Sequence, residues 1–529
     1  MFKKYYIFLL MIFLLLSCGL QPQYDLCIIN GKIVAGDGNP WYTADIGIKN
    51  EKIVYIGDIN KTHARKVIDA ADLYVCPGFI DIHNHSDRTI AKIPTADNYL
   101  LQGVTTVLGG NCGGYQFPVS EQFRKLKKSG IAINFCTLIG HNTIREKVMG
   151  LKMSAPGKEE IEKMKQLVDQ EMKSGAIGLS TGLAYMPGRY AETDELIELA
   201  GVIGKYGGMY ASHIRNQGKN ITESIEEAIE IGERNNIRVE ISHIKLCIEP
   251  NWDKPEVITS PVEKARERGV EVFTDQYPYN ATSSGFSSSF PAWSLEGGND
   301  QLKKRLKDKQ SYKKIKQYII EKRLTSQKGI DKLATIYIGN YEEQSDWEGK
   351  NLREILISQN KKPTISNGAD LIIDIQKNGG ASCVFFQMQE KDTENLLNLD
   401  FNMVASDGAV TEYGKGIPHC RNYGSFPRII RKYVQERKIF DLPEAVRKMT
   451  SLPAQVIRLN KRGLIKEEMY ADLIVFDLEN INDTATYSNP HNYPEGINYV
   501  IVNGVVAAEN GVPTGLFPGK VLYGPGKVK

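Results

Sequence analysis

The sequence lacks the features that mark several large classes of protein. Its 529 residues contain eight cysteines, and none of them has the paired C-x-x-C spacing of a zinc ribbon. The 66 lysines and arginines nearly balance the 63 acidic residues, so no strong field draws the chain to nucleic acid. There is no long basic run and no RNA-binding aromatic signature. Nucleic acid is therefore not an expected partner.

Apolar runs of membrane length are also absent after the N-terminus. Lys3 and Lys4 precede an apolar run over residues 5–16, which is too short for a stable membrane span and is typical of a signal peptide. The run ends in "LLSCG", which resembles a bacterial lipobox and implies a signal peptide over residues 1–17 and a lipid on Cys18. We therefore expect an exported bacterial lipoprotein, anchored in a membrane and facing the periplasm or the cell exterior. A plain secretory signal with an incidental cysteine is the alternative.

Both ends of the chain are rich in short alternating strands. Residues 24–75 carry turn signals at Asn30-Gly31, Asp37-Gly38 and Asn50-Glu51, and residues 463–529 have the same character. Because the ends of a domain often lie close together, we predict that they pair into one small β-sandwich domain.

The middle of the chain, residues 76–462, alternates short apolar strands with helical stretches. The eight strands are "GFIDIHNH", "VTTVLGGNC", "INFCTLIGH", "AIGLSTG", "GMYASHI", "RVEISHIK", "EVFTDQYPY" and "NMVASDG". This pattern predicts an α/β fold, a (β/α)8 TIM-like barrel with its active site at the carboxyl ends of the strands. Residues 281–399, between strands seven and eight, are too many for a loop and predict an inserted subdomain. Its basic stretch is interpreted as a solvated helix face.

Side chains that bind metals stand at the ends of these strands. The six are His83, His85, Cys112, His213, His243 and Asp407. His83 and His85 are two residues apart on a strand, so both face the inside of the barrel. One such histidine alone would more often be a buried, hydrogen-bonded residue. Imidazole and thiolate both suit zinc, so the full set predicts a metal site at this end of the barrel.

Cations and phenols occupy neighbouring positions. Lys245 is two residues beyond His243 and shares its inward face, and Tyr277 ends the seventh strand. Tyr185 follows the fourth strand, and Arg421 follows the eighth. Together these groups could bind a carboxylate of the substrate. The alternative is that they form salt bridges that stabilise loops.

The remaining histidines carry less information. His141 follows the third strand, where a structural role and a role behind the metal ligands are about equally plausible. His419 lies in a loop near Arg421, whereas His63 and His491 belong to the β-rich ends and are expected at the surface.

Several motifs resemble those of known families. "PGFIDIHNH" together with the later strand-end histidines and "SDG" resembles the amidohydrolase superfamily. "QGVTTVLGGNCGG", "GAIGLSTGLAYMPGRYAETDEL", "ASHIRNQ" and "HCRNYGSFPRII" are similar to its N-acyl-D-amino-acid deacylase branch, the D-aminoacylases. The resemblance extends from about residue 25 to about residue 518 and depends on an ordered set of motifs.

The resemblance implies a ligand set for zinc. Cys112, His213 and His243 would hold one zinc tightly, with His83 and His85 at a second, weaker site whose occupancy is left open. Many members of the wider superfamily use a carboxylated lysine from the fourth strand. That strand carries no lysine here, so the thiolate would supply the anionic ligand.

The resemblance also implies the reaction. Asp407, at the metal centre, would be the catalytic residue, and the residues at the substrate carboxylate would be Lys245, Tyr185, Tyr277 and Arg421. The expected activity is hydrolysis of the amide bond of N-acyl-D-amino acids, or of D-terminal dipeptides, which are small-molecule substrates. Two alternatives remain: another amidohydrolase reaction, such as opening of a cyclic amide as in dihydroorotases, and a surface lipoprotein that binds such ligands without cleavage.

Overall fold

A computed structural model describes residues 23–527 of the protein. The signal peptide predicted for residues 1–17 and the lipidation site predicted at Cys18 lie outside the described residues. Over the part of the chain that is described, no helix is both long and apolar enough to cross a membrane.

The described chain contains short strands from end to end. They are β1 (Tyr24–Ile33), β2 (Tyr42–Lys49), β3 (Lys52–Gly57), β4 (Ala64–Asp69), β5 (Tyr74–Pro77), β6 (Phe79–Asp81), β7 (Val104–Gly109), β8 (Asn134–Thr137), β9 (Ile139–Gly140), β10 (Gly178–Gly182), β11 (Met209–His213), β12 (Val239–Ile241), β13 (Val272–Gln276), β14 (Ala281–Gly285), β15 (Ile336–Asn340), β16 (Ser382–Phe386), β17 (Asn402–Val404), β18 (Leu473–Phe476), β19 (Ile497–Val502), β20 (Val505–Glu509) and β21 (Val512–Pro513).

Parallel strands in the middle of the chain form a barrel. Hydrogen-bonded neighbours follow the orders β6-β7-β8 and β9-β10-β11-β12-β13-β17, with Leu138 alone between β8 and β9. The ends of the first and last strands are joined, because the N–H of Asp407 donates to the carbonyl of His83 at 2.8 Å and the N–H of His85 donates to the carbonyl of Gly408 at 2.7 Å. The structure therefore has the parallel α/β barrel that the strand–helix alternation predicts.

Helices follow most of the barrel strands. They are α1 (Asp97–Leu100), α2 (Val119–Ser129), α3 (His141–Met149), α4 (Lys158–Ser174), α5 (Thr193–Gly204), α6 (Ile221–Asn235), α7 (Glu256–Glu267), α8 (Asn299–Arg305), α9 (Lys309–Ile319), α10 (Leu352–Ser358), α11 (Ile365–Lys377), α12 (Glu390–Leu397), α13 (Arg421–Arg428), α14 (Leu442–Met449) and α15 (Ser451–Val456). In α4 the residues Met164, Val168 and Met172, spaced by four, share one face and are buried.

Strands from both ends of the chain form one sheet. Its order is β21-β20-β19-β18-β5-β1-β2-β3, with β4 also paired to β1. β18 pairs antiparallel with β5, which joins the C-terminal strands to the N-terminal ones. Ile28, Ile48, Val475 and Ile501 belong to one shared core, so the two ends are packed together as well as hydrogen-bonded.

The prediction of a turn at Asn30-Gly31 is wrong. β1 continues through both residues, and its pairing with β2 shifts in register between Ile28 and Gly31, as at a bulge. Asn30 has φ +62°, a left-handed conformation that an Asn-Gly pair provides equally for a hairpin turn and for a bulge. The Asn50-Glu51 turn joins β2 and β3 as expected.

The part of the chain between β13 and β17 forms a second hydrophobic core. It includes Phe286, Ile315, Leu356 and Phe385, and β14, β16 and β15 form a small antiparallel sheet beside it. The predicted basic helix is divided, because the Asp308 carboxylate accepts from the N–H of Ser311 and begins α9 there. We refer to residues 281–399 as the insert.

Glu249, which follows β12, holds the insert against the barrel. Its carboxylate accepts from the Ser326 hydroxyl and from the N–H groups of Gln327 and Lys328, each at 2.8 Å, and pairs with Lys332 at 2.7 Å. Although burial opposes this, these hydrogen bonds lower the pKa of Glu249 to about 2. The contact fixes the segment that precedes Lys332 next to the ends of the barrel strands.

Candidate metal centre and active site

Three of the six strand-end side chains have a left-handed backbone. The φ angles are +54° at Cys112, +40° at His243 and +48° at Asp407. Such a conformation costs about 1–3 kcal/mol in a non-glycine residue and persists where its surroundings enforce it. Here the Asp275 carboxylate accepts from the N–H of His243 at 3.0 Å, and the N–H of Asp407 is bonded to His83. These bonds turn the side chains toward a common point.

The Cys112 thiol lies at the centre of an imidazole cluster. Its Sγ is 3.4 Å from His83 Nε2, 3.6 Å from His213 Nδ1 and 3.6 Å from His243 Nε2. These distances can be compared with those required by zinc, whose bonds are about 2.3 Å to sulfur and about 2.0–2.1 Å to nitrogen. Tetrahedral angles between such bonds separate sulfur from nitrogen by roughly 3.6 Å. The donor set and its spacing therefore fit a zinc ion.

A second group of ligand atoms adjoins the first. Asp407 Oδ1 is 3.2 Å from His85 Nε2 and 3.6 Å from His83 Nε2. The combinations that could hold a metal include Cys112 with His213 and His243, and also Cys112 with His83 and His85. Cys112 therefore belongs to both groups, as a ligand shared between two adjacent metal positions would.

The electrostatics of the cluster favour the metal-binding forms of Cys112 and His243, whereas the Asp275 carboxylate and Cys112 raise the pKa of His83 despite its burial. Burial raises the pKa of Cys112, but the neighbouring charge of His83 and the hydrogen bonds from His213 and His243 outweigh it and hold the pKa well below its usual value. Burial and the charge of Lys245 lower the pKa of His243 to about 4. A thiolate and a neutral imidazole are the protonation states that zinc requires.

Asp407 is held in its ionised form. Burial alone would raise its pKa, but the Arg421 guanidinium donates to Oδ2 at 2.7 Å and holds the pKa well below the usual range. Arg421 therefore forms a salt bridge with the predicted catalytic carboxylate. Its guanidinium is also 4.9 Å from the ring of Tyr277. The sequence predicts Arg421 near a substrate carboxylate, but does not predict its contact with Asp407.

The other predicted substrate contacts surround the same point. The Lys245 ammonium is buried and lies 3.0 Å from His243 Nδ1, and burial lowers the pKa of Lys245 to about 8. It is 5.6 Å from the ring of Tyr277, whose buried hydroxyl has no hydrogen-bond partner within residues 23–527. The ring of Tyr185 lies 4.6 Å from that of His213. The structure thus brings all ten predicted barrel-site residues to one end of the barrel.

Two residues that were not predicted from the sequence, Asp275 and Glu240, lie next to the metal ligand His83, on the side away from the metal position. Asp275 Oδ2 is 3.0 Å from His83 Nδ1, an arrangement that orients the ring and leaves Nε2 directed to the metal position. Glu240 Oε2 accepts from the Ser242 hydroxyl at 2.9 Å, and its carboxyl group lies beside Asp275 and His83. Asp275 is two residues before Tyr277, so strand alternation was the signal that could have found it.

The remaining histidines lie outside the ligand groups that the described residues form. His141 Nε2 is 2.8 Å from Glu195 Oε1 in a buried pair, and His419 Nε2 donates to the carbonyl of Ala281 at 3.1 Å. His63 is exposed, as expected. The expectation that His491 lies at the surface is wrong, because it is half-buried and its Nδ1 accepts from the Tyr423 hydroxyl at 2.8 Å.

Comparison with known families agrees with this geometry. A model of the amidohydrolase family matches residues 66–299 and 391–508 of the chain. The matched ranges contain every strand-end residue described above.

Known proteins are similar to the chain over nearly its whole length. The N-acyl-D-glutamate deacylase of Alcaligenes xylosoxydans xylosoxydans is 30% identical over 95% of this chain and 97% of its own length, and the D-aminoacylase of the same organism is 31% identical over 95% and 98%. The crystal structure of N-acyl-D-glutamate deacylase from Bordetella bronchiseptica, with zinc and a phosphonate inhibitor that mimics the tetrahedral intermediate, is 29% identical. It superposes with a TM-score of 0.82 over 94% of this chain and 99% of that one.

Proposed function

Because the chain belongs to the amidohydrolase family, in its N-acyl-D-amino-acid deacylase branch, we propose that it is a zinc-dependent enzyme that hydrolyses the amide bond of N-acyl-D-amino acids. The products would be a carboxylic acid and a free D-amino acid. D-terminal dipeptides contain the same bond and belong to the same substrate class.

One observation carries the proposal. The Cys112 thiol lies 3.4–3.6 Å from three imidazole nitrogens, beside an ionised buried carboxylate and next to a buried lysine. A module that only binds a ligand has no need of a carboxylate at its metal ligands. We propose that Cys112, His213 and His243 hold one zinc tightly and that His83 and His85 contribute to a second, weaker site.

The metal and Asp407 would have different roles in the reaction. Bound zinc would supply a Lewis acid and lower the pKa of a water molecule to about 7. Asp407 accepts the proton of the attacking water as the hydroxyl group joins the acyl carbon. The carbon–nitrogen bond then breaks, and Asp407 returns the proton to the departing amine. Arg421 keeps Asp407 ionised at neutral pH, as a proton acceptor must be.

The groups beside the metal centre suit the free carboxylate of the substrate. Lys245 brings a buried ammonium, and Tyr277 brings a buried hydroxyl that has no partner among the described residues. A carboxylate between them would accept a charge-assisted hydrogen bond from each. With the acyl carbonyl at the metal position and the carboxylate here, the α-carbon has one remaining direction for its side chain, so the handedness of the substrate is selected.

We predict that the purified protein hydrolyses N-acetyl-D-amino acids but not their L-isomers, and that Lys245→Met raises KM for them by about 10- to 150-fold. The loss corresponds to one hydrogen bond between charged groups, about 1.5–3 kcal/mol. Initial rates on a panel of D- and L-acids, with zinc content measured on the same samples, test both statements.

An analogue whose carboxylate is already an amide is the internal control, because Lys245→Met should change its KM little. Lys219→Met removes an exposed lysine and should leave both substrates unaffected. If wild type and Lys245→Met discriminate acid from amide equally well, Lys245 is structural. If zinc is absent and no amide is cleaved, the proposed function is wrong.

We further propose that the mature chain is tethered to a membrane by a lipid on Cys18. The support is the "LLSCG" sequence after a positively charged start and a short apolar run. Cys18→Ser should abolish labelling by a radioactive fatty acid and leave the precursor unprocessed, as judged by its larger mass on a gel. A wild-type mature protein that begins well after residue 18 and fractionates without membranes would contradict the tether.

A further inference from the structure

The two ring nitrogens of His243 face different groups. Nε2 lies 3.6 Å from the Cys112 thiol, on the side of the metal position. Nδ1 lies 3.0 Å from the Lys245 ammonium and 3.2 Å from the side-chain amide nitrogen of Gln217. Within residues 23–527, these two groups are the ones at hydrogen-bond distance from Nδ1. A lysine and a glutamine therefore meet at the ring nitrogen that does not face the metal position.

Only the glutamine can accept a hydrogen bond from this nitrogen. An imidazole nitrogen that binds a metal uses its lone pair, so in the metal-bound ring the hydrogen is on the other nitrogen, and that N–H needs an acceptor. An ammonium has three donors and no acceptor. A side-chain amide has an oxygen as well as a nitrogen, and half a turn about its last bond exchanges the two. With metal bound, Nδ1 of His243 therefore requires the oxygen of Gln217.

The backbone around Gln217 is tied to the segment that carries His243. Gln217 follows β11, and its carbonyl accepts from the Cys247 thiol at 3.0 Å. The carbonyl of the next residue, Gly218, accepts from the side-chain amide of Asn251 at 3.0 Å. Both donors belong to the stretch that follows β12, as His243 does. The glutamine is thus held at a fixed place beside the imidazole ring, as a residue that orients the ring has to be.

We propose that Gln217 is a positioning residue, whose side-chain oxygen accepts a hydrogen bond from Nδ1–H of His243 and holds the ring with Nε2 directed to the metal. This inference rests on the proposed function, because it concerns the protein with zinc bound. His83 offers a comparison, since the Asp275 carboxylate lies 3.0 Å from its Nδ1 in the same relation to the ring. An acceptor at the far nitrogen fixes both the tautomer and the orientation of a metal-binding imidazole.

The same hydrogen bond decides which groups Lys245 can bind. While Nδ1 of His243 keeps its lone pair, the ammonium can donate to it as well as to the His243 carbonyl. Once Nδ1 carries a hydrogen and donates to Gln217, only the bond to the carbonyl remains, and two of the three N–H groups of the ammonium are free. The ammonium is buried, so the freed groups need an acceptor. Metal binding therefore prepares Lys245 for the carboxylate of the substrate.

The test measures zinc affinity without turnover, by competition between the metal-free protein and a chelator of known affinity. Gln217→Leu removes the acceptor at similar size and should weaken zinc binding about 10- to 100-fold, the usual loss for a partner of a metal ligand. Gln217→Glu offers only acceptor oxygens and should bind zinc at least as tightly as wild type. Lys245→Met should not weaken zinc binding, because an ammonium is no acceptor. Gln310→Leu, at an exposed glutamine of α9, is the matched control and should behave as wild type.

Three results would overturn the assignment of Gln217 alone. Wild-type zinc affinity in Gln217→Leu would show that Nδ1 of His243 has another acceptor, and an equal loss in Lys245→Met would give that role to the lysine. A loss in Gln217→Glu as large as in Gln217→Leu would show that the amide acts as a donor or only fills space, and this comparison decides even if the leucine variant has a lower melting temperature. A wild type that binds no zinc would instead contradict the proposed function, and this inference with it.

Discussion

Asp407→Asn is expected to keep the fold and the tightly held zinc while lowering kcat by about 100- to 10,000-fold, the usual contribution of a general acid–base group. The asparagine amide matches the carboxylate in shape, and its oxygen can still accept a hydrogen bond from Arg421. It cannot accept a proton from water or return one to the departing amine. The loss should therefore fall on kcat more than on KM.

Steady-state rates, zinc content and the melting temperature of the same preparation separate chemistry from folding. Asp400→Asn changes an exposed aspartate just before β17 and is the matched control, with no expected loss. A fall in kcat of less than tenfold for Asp407→Asn would move the proton transfer to another residue.

Cys112→Ala is expected to lose metal and activity together. The thiol lies within 3.4–3.6 Å of three imidazole nitrogens, so its removal takes away the anionic member of the ligand set. Residues that merely support metal ligands are worth about 10- to 100-fold in metal affinity, and a direct ligand should be worth at least that. Because Cys112 belongs to both groups of ligand atoms, no intact group that includes a thiolate would remain.

Metal content after dialysis against a chelator, measured by inductively coupled plasma mass spectrometry, is the direct test. Cys136→Ala removes a buried thiol of β8 that lies outside the ligand groups, and should retain zinc as wild type does. Full zinc occupancy in Cys112→Ala would show that the thiolate is not a ligand. Together the two variants separate proton transfer from metal binding. Asp407→Asn should contain zinc but have a low kcat, whereas Cys112→Ala should contain no zinc.

The barrel follows from local patterns. Short apolar strands alternate with helices such as α4, whose buried face repeats every four residues, and a closed parallel sheet surrounded by helices buries eight such strands. The Asn30-Gly31 bulge shows the limit of this reasoning. A local pattern determines that the backbone must turn left-handed, but the pairing of β1 with β2 decides whether a turn or a bulge results.

The division of the predicted basic helix into α8 and α9 also shows the limit of local patterns. The basic stretch is helical in character throughout, yet the Asp308 cap interrupts it, and the part after the interruption contacts a barrel loop where Arg189 donates to the Tyr318 hydroxyl. The interpretation of its cations as a solvated face therefore does not extend to Arg323, which is partly buried beside Ser288 and Ser289. A charged residue at a helix position is exposed or buried according to what the helix docks against.

The sequence by itself determined the kinds of ligand and the end of the barrel that carries them. Parallel strands of a barrel all end at one rim, so His83, Cys112, His213, His243 and Asp407, which end or follow strands, had to come near one another. Only the tertiary structure decided which atoms meet. The hydrogen bond between His83 and Asp275 joins parts of the chain far apart in sequence. The pairing of Arg421 with Asp407 and the left-handed backbones at three of these residues were not visible in the sequence either. Contacts of that kind depend on how whole elements pack, and no local pattern encodes them.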